Sequence, residues 1–155
     1  MSDIIKKEEF IKLTEIQSGL LEELANIEKE VFGEAGFNRY SIPFIISWGR
    51  YFIYKSEGDI VAGAQVIRSY DDRSDLYLAG LWVKKEFRSK GIGKRFLGKI
   101  IGQLFAGGGK RLYLTVDPKN ENAVSFYKKF GFKTVSLEKD YYGKGEERLL
   151  MVLSL

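Results

Sequence analysis

A short glycine-containing segment, R-S-K-G-I-G-K at residues 88–94, constrains this chain more than any other stretch. It separates an apolar run that ends L-W-V at residues 81–83 from a helical pattern that begins at Ile92. Because glycine lacks a Cβ, Gly91 and Gly93 allow the backbone to turn sharply and bring its N–H groups close to a bound anion. The following helix adds unpaired N–H groups and partial positive charge at the same place. Strand, glycine turn and helix together predict a pyrophosphate site that needs no metal.

Four basic side chains surround this turn and are expected to add positive charge to it: Arg88, Lys90, Lys94 and Arg95. The segment is not a Walker loop, because the pattern G-x-x-x-x-G-K-[ST] is absent. It also departs from the dinucleotide fingerprint, since Phe96 and Leu97 occupy the region of the expected third glycine. The anion site is therefore predicted to belong to a different class of cofactor-binding protein.

The length and composition predict one globular domain over residues 1–155. Hydrophobic residues make up 45% of the chain and charged residues 30%, which are ordinary values for a packed domain. No apolar run approaches the ~18 residues of a membrane span, and the first ten residues are charged rather than signal-like. With no cysteine, disulfides are excluded. We therefore expect a cytoplasmic protein without a membrane segment.

The absence of both cysteine and histidine restricts the possible chemistry. Cys-His and Ser-His-Asp nucleophile systems are excluded, and no metal site is expected. The possible general acids and bases are therefore Asp, Glu, Tyr, Lys and water. The net charge of +4 could indicate nucleic acid, but Lys and Arg are spread along the chain among Asp and Glu. An anionic cofactor explains the one dense basic cluster, at residues 84–95, more economically.

Hydrophobic periodicity predicts an alternation of strands and helices. Strands are expected at residues 10–13, 51–55, 60–70, 75–83, 112–116, 132–137 and 148–155, and helices at 20–32, 42–48, 92–106 and 120–130. Ser18 is the predicted N-cap of the first helix, and Gly33 follows its end. Three antiparallel strands precede the glycine turn, and a crossover then places residues 112–116 parallel to 75–83. The fold class is α/β, with a mixed α+β sheet flanked by helices.

The helix after the glycine turn contains two interior glycines, Gly98 and Gly102. Each costs about 1 kcal/mol of helix propensity relative to alanine. We expect a close approach of this helix to the sheet to compensate for that cost. Phe105 is predicted on the inward face of the same helix, with Ile92 and Phe96.

Two segments of the chain resemble the hallmarks of the GNAT superfamily of N-acetyltransferases. Residues 88–93 match the acetyl-CoA signature [QR]-x-x-G-x-[GA], and residues 120–132 are similar to N-x-x-A-x-x-[FL]-Y-x-x-x-G-F. With Y-Y-x-x-G-E near the end, the resemblance covers about the last half of the chain and favours the RimI-like branch, which acetylates protein N-terminal amines. It implies the acyl-CoA N-acyltransferase fold, with a centrally splayed mixed sheet, and acetyl-CoA as cofactor.

The resemblance also implies roles for individual residues. The backbone of Leu81, Trp82 and Val83 would hold the acetyl and pantetheine part of the cofactor, as a substitute strand pairs with a sheet. Asn120 would reach the pantetheine arm, and Tyr127 would act as general acid toward the departing CoA thiolate. The backbone and side chains that would hold the pyrophosphate are Arg88, Ser89, Lys90, Gly91, Ile92, Gly93 and Lys94. Asn120 as a plain helix N-cap and Tyr127 as an aromatic core residue are the competing structural interpretations.

The acceptor amine and its base are less constrained by the sequence. The resemblance implies that Phe37, Asn38 and Arg39 help to select the substrate, and the long connection at residues 139–147 is a second candidate loop. RimI-like enzymes carry a glutamate at the position that here is Thr115, which cannot act as a base. The remaining carboxylates to consider as bases are Glu34, Glu146, Asp75 and Asp117, and the further substrate-loop candidates are Tyr141 and Tyr142.

The predicted function is direct transfer of acetyl from acetyl-CoA to a primary amine, with a protein or peptide N-terminal amine as the acceptor. A small amine such as a polyamine, an amino acid or an aminoglycoside is the alternative acceptor. Two other classes stay open: a CoA-binding regulatory module that has lost its chemistry, which the threonine at position 115 motivates, and a nucleic-acid-binding protein. The oligomeric state, monomer or homodimer, is not fixed by the sequence.

Overall fold

A computed structural model describes residues 6–155 of the chain; residues 1–5, the start of the predicted domain and of its charged N-terminus, lie outside the described part. The elements in chain order are β1 (Glu8–Lys12), α1 (Ser18–Phe32), α2 (Ile42–Trp48), β2 (Arg50–Ser56), β3 (Asp59–Arg68), β4 (Asp75–Val83), α3 (Ile92–Ala106), β5 (Arg111–Val116), α4 (Glu121–Phe130), β6 (Lys133–Glu138) and β7 (Arg148–Ser154). Single 3₁₀ turns over Gly33–Ala35 and Lys85–Phe87 follow α1 and β4.

The strands form a seven-stranded mixed sheet in the order β1-β2-β3-β4-β5-β7-β6. Strands β1 and β2, β2 and β3, β5 and β7, and β6 and β7 pair antiparallel, while β4 and β5 pair parallel. The parallel register extends over three residue pairs, from Asp75 and Arg111 to Tyr77 and Tyr113. The predicted mixed sheet with a parallel crossover through α3 is confirmed.

The described backbone divides into two compact units. The first contains the chain up to Ile67 together with Gly80–Gln103, and the second contains Arg68–Ala79 and Leu104–Leu155. Strand β4 contributes to both units, with the division between Ala79 and Gly80. The extent of a single domain over the whole chain stays a prediction.

The core of the first unit lies on both faces of its strands. Tyr51 and Ile53 of β2 pack with Leu24 of α1 and Ile45 of α2 in one buried cluster. Side chains alternate between faces along a strand, so Tyr54 points the other way, where its ring centroid lies 5.6 Å from that of Phe96 on α3. Helices α1 and α2 thus cover one face and α3 the other.

The core of the second unit is built from alternate residues of its strands. Leu76 and Leu78 of β4, Leu112 of β5 and Met151 of β7 are all buried. Helix α4 contributes half-buried side chains, since none of its residues is fully buried. Its Tyr127 ring packs edge to face against Phe132, with the centroids 5.4 Å apart.

Several local predictions can be compared with these elements. Strand β1 begins at Glu8, two residues before the predicted start. Ser18 as the N-cap of α1 is wrong, because the helix already includes Ser18 and Gln17 occupies the cap without a side-chain hydrogen bond. Gly33 after the helix is confirmed, with a φ of 60° that favours glycine. The inward placement of Phe105 is wrong, since 61% of this residue is exposed.

The expected reason for the two glycines in α3 is also wrong. A Cβ built on Gly98 or on Gly102 meets no atom within 4 Å, and both residues are exposed. These positions lie on the solvent side of the helix, so glycine is not required there for close packing. Their cost in helix propensity is therefore uncompensated by contacts with the sheet.

Replacing Gly98 or Gly102 by alanine is expected to stabilise the protein by about 0.5 to 1 kcal/mol each, because alanine lowers the entropy of the unfolded chain and favours the helix. Urea denaturation measures this effect. Gly109→Ala is the opposite control, since its Cβ would lie 2.5 Å from Leu76 Cδ1 and 2.9 Å from the Leu104 carbonyl oxygen. A loss of stability at both helical positions would contradict this reading of α3.

Candidate active site

The glycine turn has the backbone geometry that the sequence predicted. Ser89 and Gly91 have positive φ angles of 61° and 77°, and α3 begins immediately afterwards at Ile92. The first helical hydrogen bond runs from the Arg95 N–H to the Gly91 carbonyl oxygen at 3.1 Å. The N–H groups that precede Arg95 at a helix start have no partner within the helix, so they can bind an anion.

Two of the four basic side chains at this turn, Arg88 and Arg95, donate hydrogen bonds to other residues of the chain. Arg95 forms an ion pair with Glu8, with Nη2 2.7 Å from Oε1, and its Nη1 donates to the Lys90 carbonyl oxygen at 3.2 Å. Arg88 donates from Nε to the Val83 carbonyl oxygen at 2.9 Å. The expectation that Arg95 lends its charge to the turn is therefore corrected, because that charge is compensated by Glu8. Lys94 is exposed beside the turn.

The end of β4 carries the three residues expected to contact the cofactor through their backbone. Leu81 and Val83 are half-buried, whereas the Trp82 side chain is only 2% exposed and faces the core. The parallel register given above ends at Tyr77, so these residues lie beyond the part of β4 that pairs with β5. Their backbone therefore meets the geometric condition for pairing with an amide-bearing ligand.

A buried carboxylate that the sequence reasoning missed lies in the same unit. Glu28 of α1 is fully buried, and its Oε1 accepts hydrogen bonds from Tyr51 Oη at 2.9 Å, Trp82 Nε1 at 3.0 Å and Gln65 Nε2 at 2.5 Å. Its Oε2 accepts a 3.3 Å bond from the Phe37 backbone N–H. The carboxylate thus joins α1 to three strands and to the loop after the helix.

The protonation of this cluster is governed by burial. Burial raises the pKa of Glu28 above its ordinary value, although the four donors oppose that rise. Burial, followed by the charge of Glu28, also raises the pKa of Tyr51. Four donors and no acceptor face the carboxylate, so we describe it as the ionised form. The sequence contained one signal for it, because Glu28 interrupts the apolar face defined by Leu24, Ile27 and Val31.

Close packing around Glu28 explains two glycines in the neighbouring strands. A Cβ on Gly63 of β3 would overlap the Trp82 ring, and a Cβ on Gly80 of β4 would overlap Gln65 Oε1. That amide oxygen is buried and has no hydrogen-bond partner among residues 6–155. The orientation of Gln65 is therefore set by its amide nitrogen, which donates to Glu28.

Tyr127 and Asn120 both belong to the second unit. Asn120 is the N-cap of α4, where its Oδ1 accepts a 3.1 Å bond from the Ala123 N–H. Burial raises the pKa of Tyr127 to about 12, and within the described residues its hydroxyl has no hydrogen-bond partner. Tyr127 is therefore a neutral donor at physiological pH. The cofactor role of Asn120 and the catalytic role of Tyr127 stay predictions.

Two hydroxyl groups in this unit form a hydrogen bond that was not predicted from the sequence. Tyr77 Oη of β4 lies 2.7 Å from Thr115 Oγ1 of β5, the position where a glutamate was expected. Burial raises the pKa of Tyr77 above its ordinary value, and Tyr141 and Tyr142 add to the rise. The strand register that brings Tyr77 to Thr115 is a tertiary property, so no local pattern could reveal this pair.

The candidate acceptor residues after α1 mostly support the loop itself. Asn38 Oδ1 accepts from the N–H groups of Tyr40 at 2.9 Å and Ser41 at 3.2 Å, and so it holds the approach to α2. The Arg39 guanidinium lies over the Tyr40 ring, 6.0 Å from its centroid. Glu34 is exposed in the 3₁₀ turn after α1. Among these four residues, it is the backbone N–H of Phe37 that donates to the Glu28 carboxylate.

The connection between β6 and β7 gathers the other predicted acceptor residues. The Tyr141 and Tyr142 rings are perpendicular, with centroids 4.8 Å apart, and the Arg148 guanidinium lies 5.0 Å from the centroid of Tyr142. Arg148 also pairs with Glu146, with Nη2 3.2 Å from Oε2. This loop belongs to the second unit, as do Tyr77 and Thr115.

The remaining candidate bases are committed to local partners. Asp75 forms a hydrogen-bonded ion pair with Arg111. Asp117 accepts from the Lys119 N–H at 2.9 Å, and so it shapes the turn before α4. In the part of the chain that the structure describes, no group of three or more Asp, Glu, His or Cys side chains could hold a metal ion. No helix between residues 6 and 155 is long and apolar enough to cross a membrane.

Comparison with known proteins identifies the family. The sequence profile of the Acetyltransferase (GNAT) family matches residues 19–132, which is well over half of the chain. The chain belongs to the GNAT family. The predicted resemblance is thereby confirmed, and the match includes the glycine turn, Glu28 and Tyr127.

Two N-acetyltransferases are similar to this chain in sequence. N-alpha-acetyltransferase 50 of Danio rerio is 33% identical over 91 residues, covering 57% of this chain and 54% of that protein. The [ribosomal protein bS18]-alanine N-acetyltransferase of Haemophilus ducreyi is 31% identical over 106 residues, covering 66% of this chain and 71% of that protein. The first of these matches thus spans about half the relative's length. The second supports the RimI-like assignment.

A solved structure confirms the GNAT fold. An aminoglycoside 6'-N-acetyltransferase complexed with coenzyme A superposes with a TM-score of 0.80 at 16% identity, covering 94% of this chain and 96% of that one. At this identity the likeness concerns the fold. The mixed sheet flanked by helices is therefore the GNAT acyltransferase architecture.

The ion pair between Glu8 and Arg95 is expected to make stability depend on pH. The hydrogen bonds from Arg95 and then Tyr54 lower the pKa of Glu8, so the stabilisation is present above the unfolded pKa of Glu8 and is lost as the pH falls through its folded pKa. Glu8→Gln should cost at most about 1 kcal/mol at pH 7, because Arg95 is partly exposed.

Thermal or urea unfolding of the wild type and Glu8→Gln at pH 7 and at pH 3 tests this expectation. The difference between the two proteins should shrink toward pH 3. Glu9→Gln removes a more exposed pair with Lys7 and is the matched control, with little effect at either pH. A difference of equal size at both pH values would show that the charge of Glu8 is not responsible.

Proposed function

We propose that this GNAT-family chain transfers an acetyl group from acetyl-CoA directly to a primary amine, with a protein or peptide N-terminal amine as the acceptor. The observation that carries this proposal is the combination of the family match over residues 19–132 with the glycine turn before α3. The family match supports acetyl transfer, and the turn supports the binding of a nucleotide pyrophosphate without a metal.

The residues around the turn fit the cofactor. The positive φ of Gly91 and the helix start support pyrophosphate binding by backbone N–H groups, and a Cβ on Gly91 would lie 2.9 Å from Arg95 Nη1. Lys90 and Lys94 would supply charge, because Arg95 is engaged by Glu8. The backbone at Leu81–Val83 would bind the pantetheine arm. When bound, acetyl-CoA supplies a thioester whose acetyl carbon bonds to the amine nitrogen as its C–S bond breaks.

The acceptor class follows from the relatives and from the available proton acceptors. Of the two relatives described above, one is named an N-alpha-acetyltransferase and the other a ribosomal protein bS18-alanine N-acetyltransferase. An α-amine has an ordinary pKa of about 8, whereas that of lysine is about 10.4, so an α-amine is partly neutral near pH 7 without a strong base. The carboxylates Asp75, Asp117 and Glu146 all have local partners. With three of its four candidate carboxylate bases engaged, the chain is better suited to an α-amine.

Tyr127 is proposed as the hydrogen-bond donor to the leaving thiolate. Its pKa of about 12 keeps the phenol protonated, and its hydroxyl has no partner among the described residues. An ordinary thiol has a lower pKa, near 8.5, so complete proton transfer from Tyr127 to a thiolate is unfavourable. Tyr127 therefore stabilises the thiolate through a hydrogen bond, and it releases its proton only as another proton replaces it.

Tyr77 and Thr115 are proposed to relay the proton that leaves the acceptor nitrogen. Their hydroxyl oxygens lie 2.7 Å apart, a distance at which either can donate to the other. Since burial raises the pKa of Tyr77, the phenol acts as a neutral hydroxyl that accepts one proton while passing another to Thr115 or to water. This pair stands in place of the missing glutamate at position 115.

Removing single hydroxyl groups tests these roles. Tyr127→Phe and Tyr77→Phe should each lower kcat at least about tenfold, with acetyl-CoA affinity changed less than twofold. Steady-state release of free thiol measures the first quantity and calorimetry the second. Tyr70→Phe alters a fully exposed tyrosine and is the control, expected to match the wild type. Wild-type turnover in either test variant would remove that tyrosine from the mechanism.

The acceptor is tested by incubating the protein with acetyl-CoA and a mixed panel of peptides with free N-termini, N-terminally blocked lysine peptides and polyamines. Mass spectrometry should find acetylation at the α-amine of the free peptides, with kcat/KM rising with pH and levelling off above the α-amine pKa of about 8. Products confined to polyamines would favour the small-amine alternative. Cofactor binding without any product would favour the regulatory module.

A further inference from the structure

The two oxygens of the Glu28 carboxylate contact different parts of the first unit. Oε1 receives its three hydrogen bonds from side chains of β2, β3 and β4, namely those of Tyr51, Gln65 and Trp82. Oε2 receives one, from the backbone N–H of Phe37 in the loop between α1 and α2. Oε1 therefore accepts hydrogen bonds from the sheet, and Oε2 accepts one from the loop.

The loop is held against α1 at this point. A Cβ built on Gly36 would lie 2.6 Å from the Glu28 carbonyl oxygen, so the loop backbone passes directly over the helix end. The half-buried Phe37 ring then reaches β4, where its Cε2 lies 3.8 Å from a Cβ built on Gly80. The bond to Oε2 thus fixes the point at which the loop meets the strand.

We infer that Glu28 is a positioning residue for the acceptor. The hydrogen bond from the Phe37 N–H to Glu28 Oε2, which we call the latch, holds the loop against β4 and thereby sets the affinity for the amine substrate. This inference rests on the proposed function, together with the role in substrate selection that the family resemblance implies for Phe37, Asn38 and Arg39. A loop that is fixed before binding loses less conformational freedom when a substrate arrives, so its substrate binds more tightly. The chemical step itself does not involve Glu28.

Glu28→Gln separates the latch from the contacts with the sheet. An amide keeps one acceptor oxygen, and three donors on the sheet side compete for it against one donor on the loop side. The oxygen should face the sheet, which leaves the amide NH₂ opposite the Phe37 N–H. Two donors then face each other and the latch opens, while the contacts with Tyr51, Gln65 and Trp82 are retained.

Tyr51→Phe is the matched control. It removes one donor to Oε1 from the same buried cluster and leaves the bond between Oε2 and the Phe37 N–H in place. Both variants are expected to lose some stability, because each leaves a buried polar group with fewer partners. If Glu28 had a purely structural role, the acceptor KM would change by the same factor in both variants. If Glu28 holds the loop, the acceptor KM should change in Glu28→Gln alone.

Two measurements distinguish these outcomes. In Glu28→Gln the acceptor KM should rise roughly tenfold, the size of effect expected from losing one hydrogen bond to a charged group, with kcat and the acetyl-CoA KM within about twofold of wild type. Amide hydrogen exchange at Phe37, followed by NMR without substrate, should accelerate in the same variant. In Tyr51→Phe both quantities should match the wild type.

A second variant keeps the inference testable if Glu28→Gln does not fold. Gly36→Ala places a methyl group against the Glu28 carbonyl oxygen and should displace the loop without altering the carboxylate. Its acceptor KM is expected to rise in the same way. Gly19→Ala, on α1 with no atom within 4 Å of the added Cβ, is its matched control and should leave the KM unchanged.

The inference is overturned if Glu28→Gln and Tyr51→Phe change the acceptor KM equally, or if exchange at the Phe37 amide is the same in Glu28→Gln and wild type. A wild-type protein that acetylates no acceptor would overturn the proposed function, and the role in acceptor affinity with it. Faster exchange in Glu28→Gln would then still establish the latch as a structural feature. The two failures are therefore distinguishable.

Discussion

The hydrogen bonds around Glu28 are the constraint on which the first unit depends. A buried carboxylate is costly unless donors surround it, and here the donors come from β2, β3, β4 and the loop after α1. Each donor must reach one point, which fixes the register of the strands against the helix. Gly63 and Gly80 follow from this requirement, because a side chain at either position would displace Trp82 or Gln65. A charge on the apolar face of α1 thus ties that helix to three strands and to the loop that follows it.

The sequence predicted the elements well because their signals are local. Periodicity located every helix and strand to within a few residues, and the glycine turn was found from Gly91, Gly93 and the flanking patterns alone. Errors arose where a local rule needed a distant partner. Gly98 and Gly102 were assigned to close packing, but the structure shows open space beside them. Periodicity marks a buried face; it does not reveal what covers each position on that face.

The candidate site shows the same limit more clearly. Motifs made the turn, Asn120 and Tyr127 candidates, since these residues stand at fixed spacings within single segments. Glu28 and Tyr77 were missed because their significance depends on residues far away in the chain. Tyr77 meets Thr115 only through the parallel register of β4 and β5, and Glu28 meets Trp82 only through the packing of α1. Both partners are properties of the folded sheet.

Proton supply links these observations to the proposed chemistry. Without histidine or cysteine, the groups left to exchange protons are the carboxylates, lysine, the hydroxyls and water. The ion pairs of Asp75 and Glu146 hold these carboxylates in place, and Glu28 is enclosed by donors. Tyr77 and Tyr127 both stay neutral, so neither can generate a free amine from a strongly basic lysine. An acceptor that deprotonates readily is then favoured, which supports the proposal of a peptide α-amine.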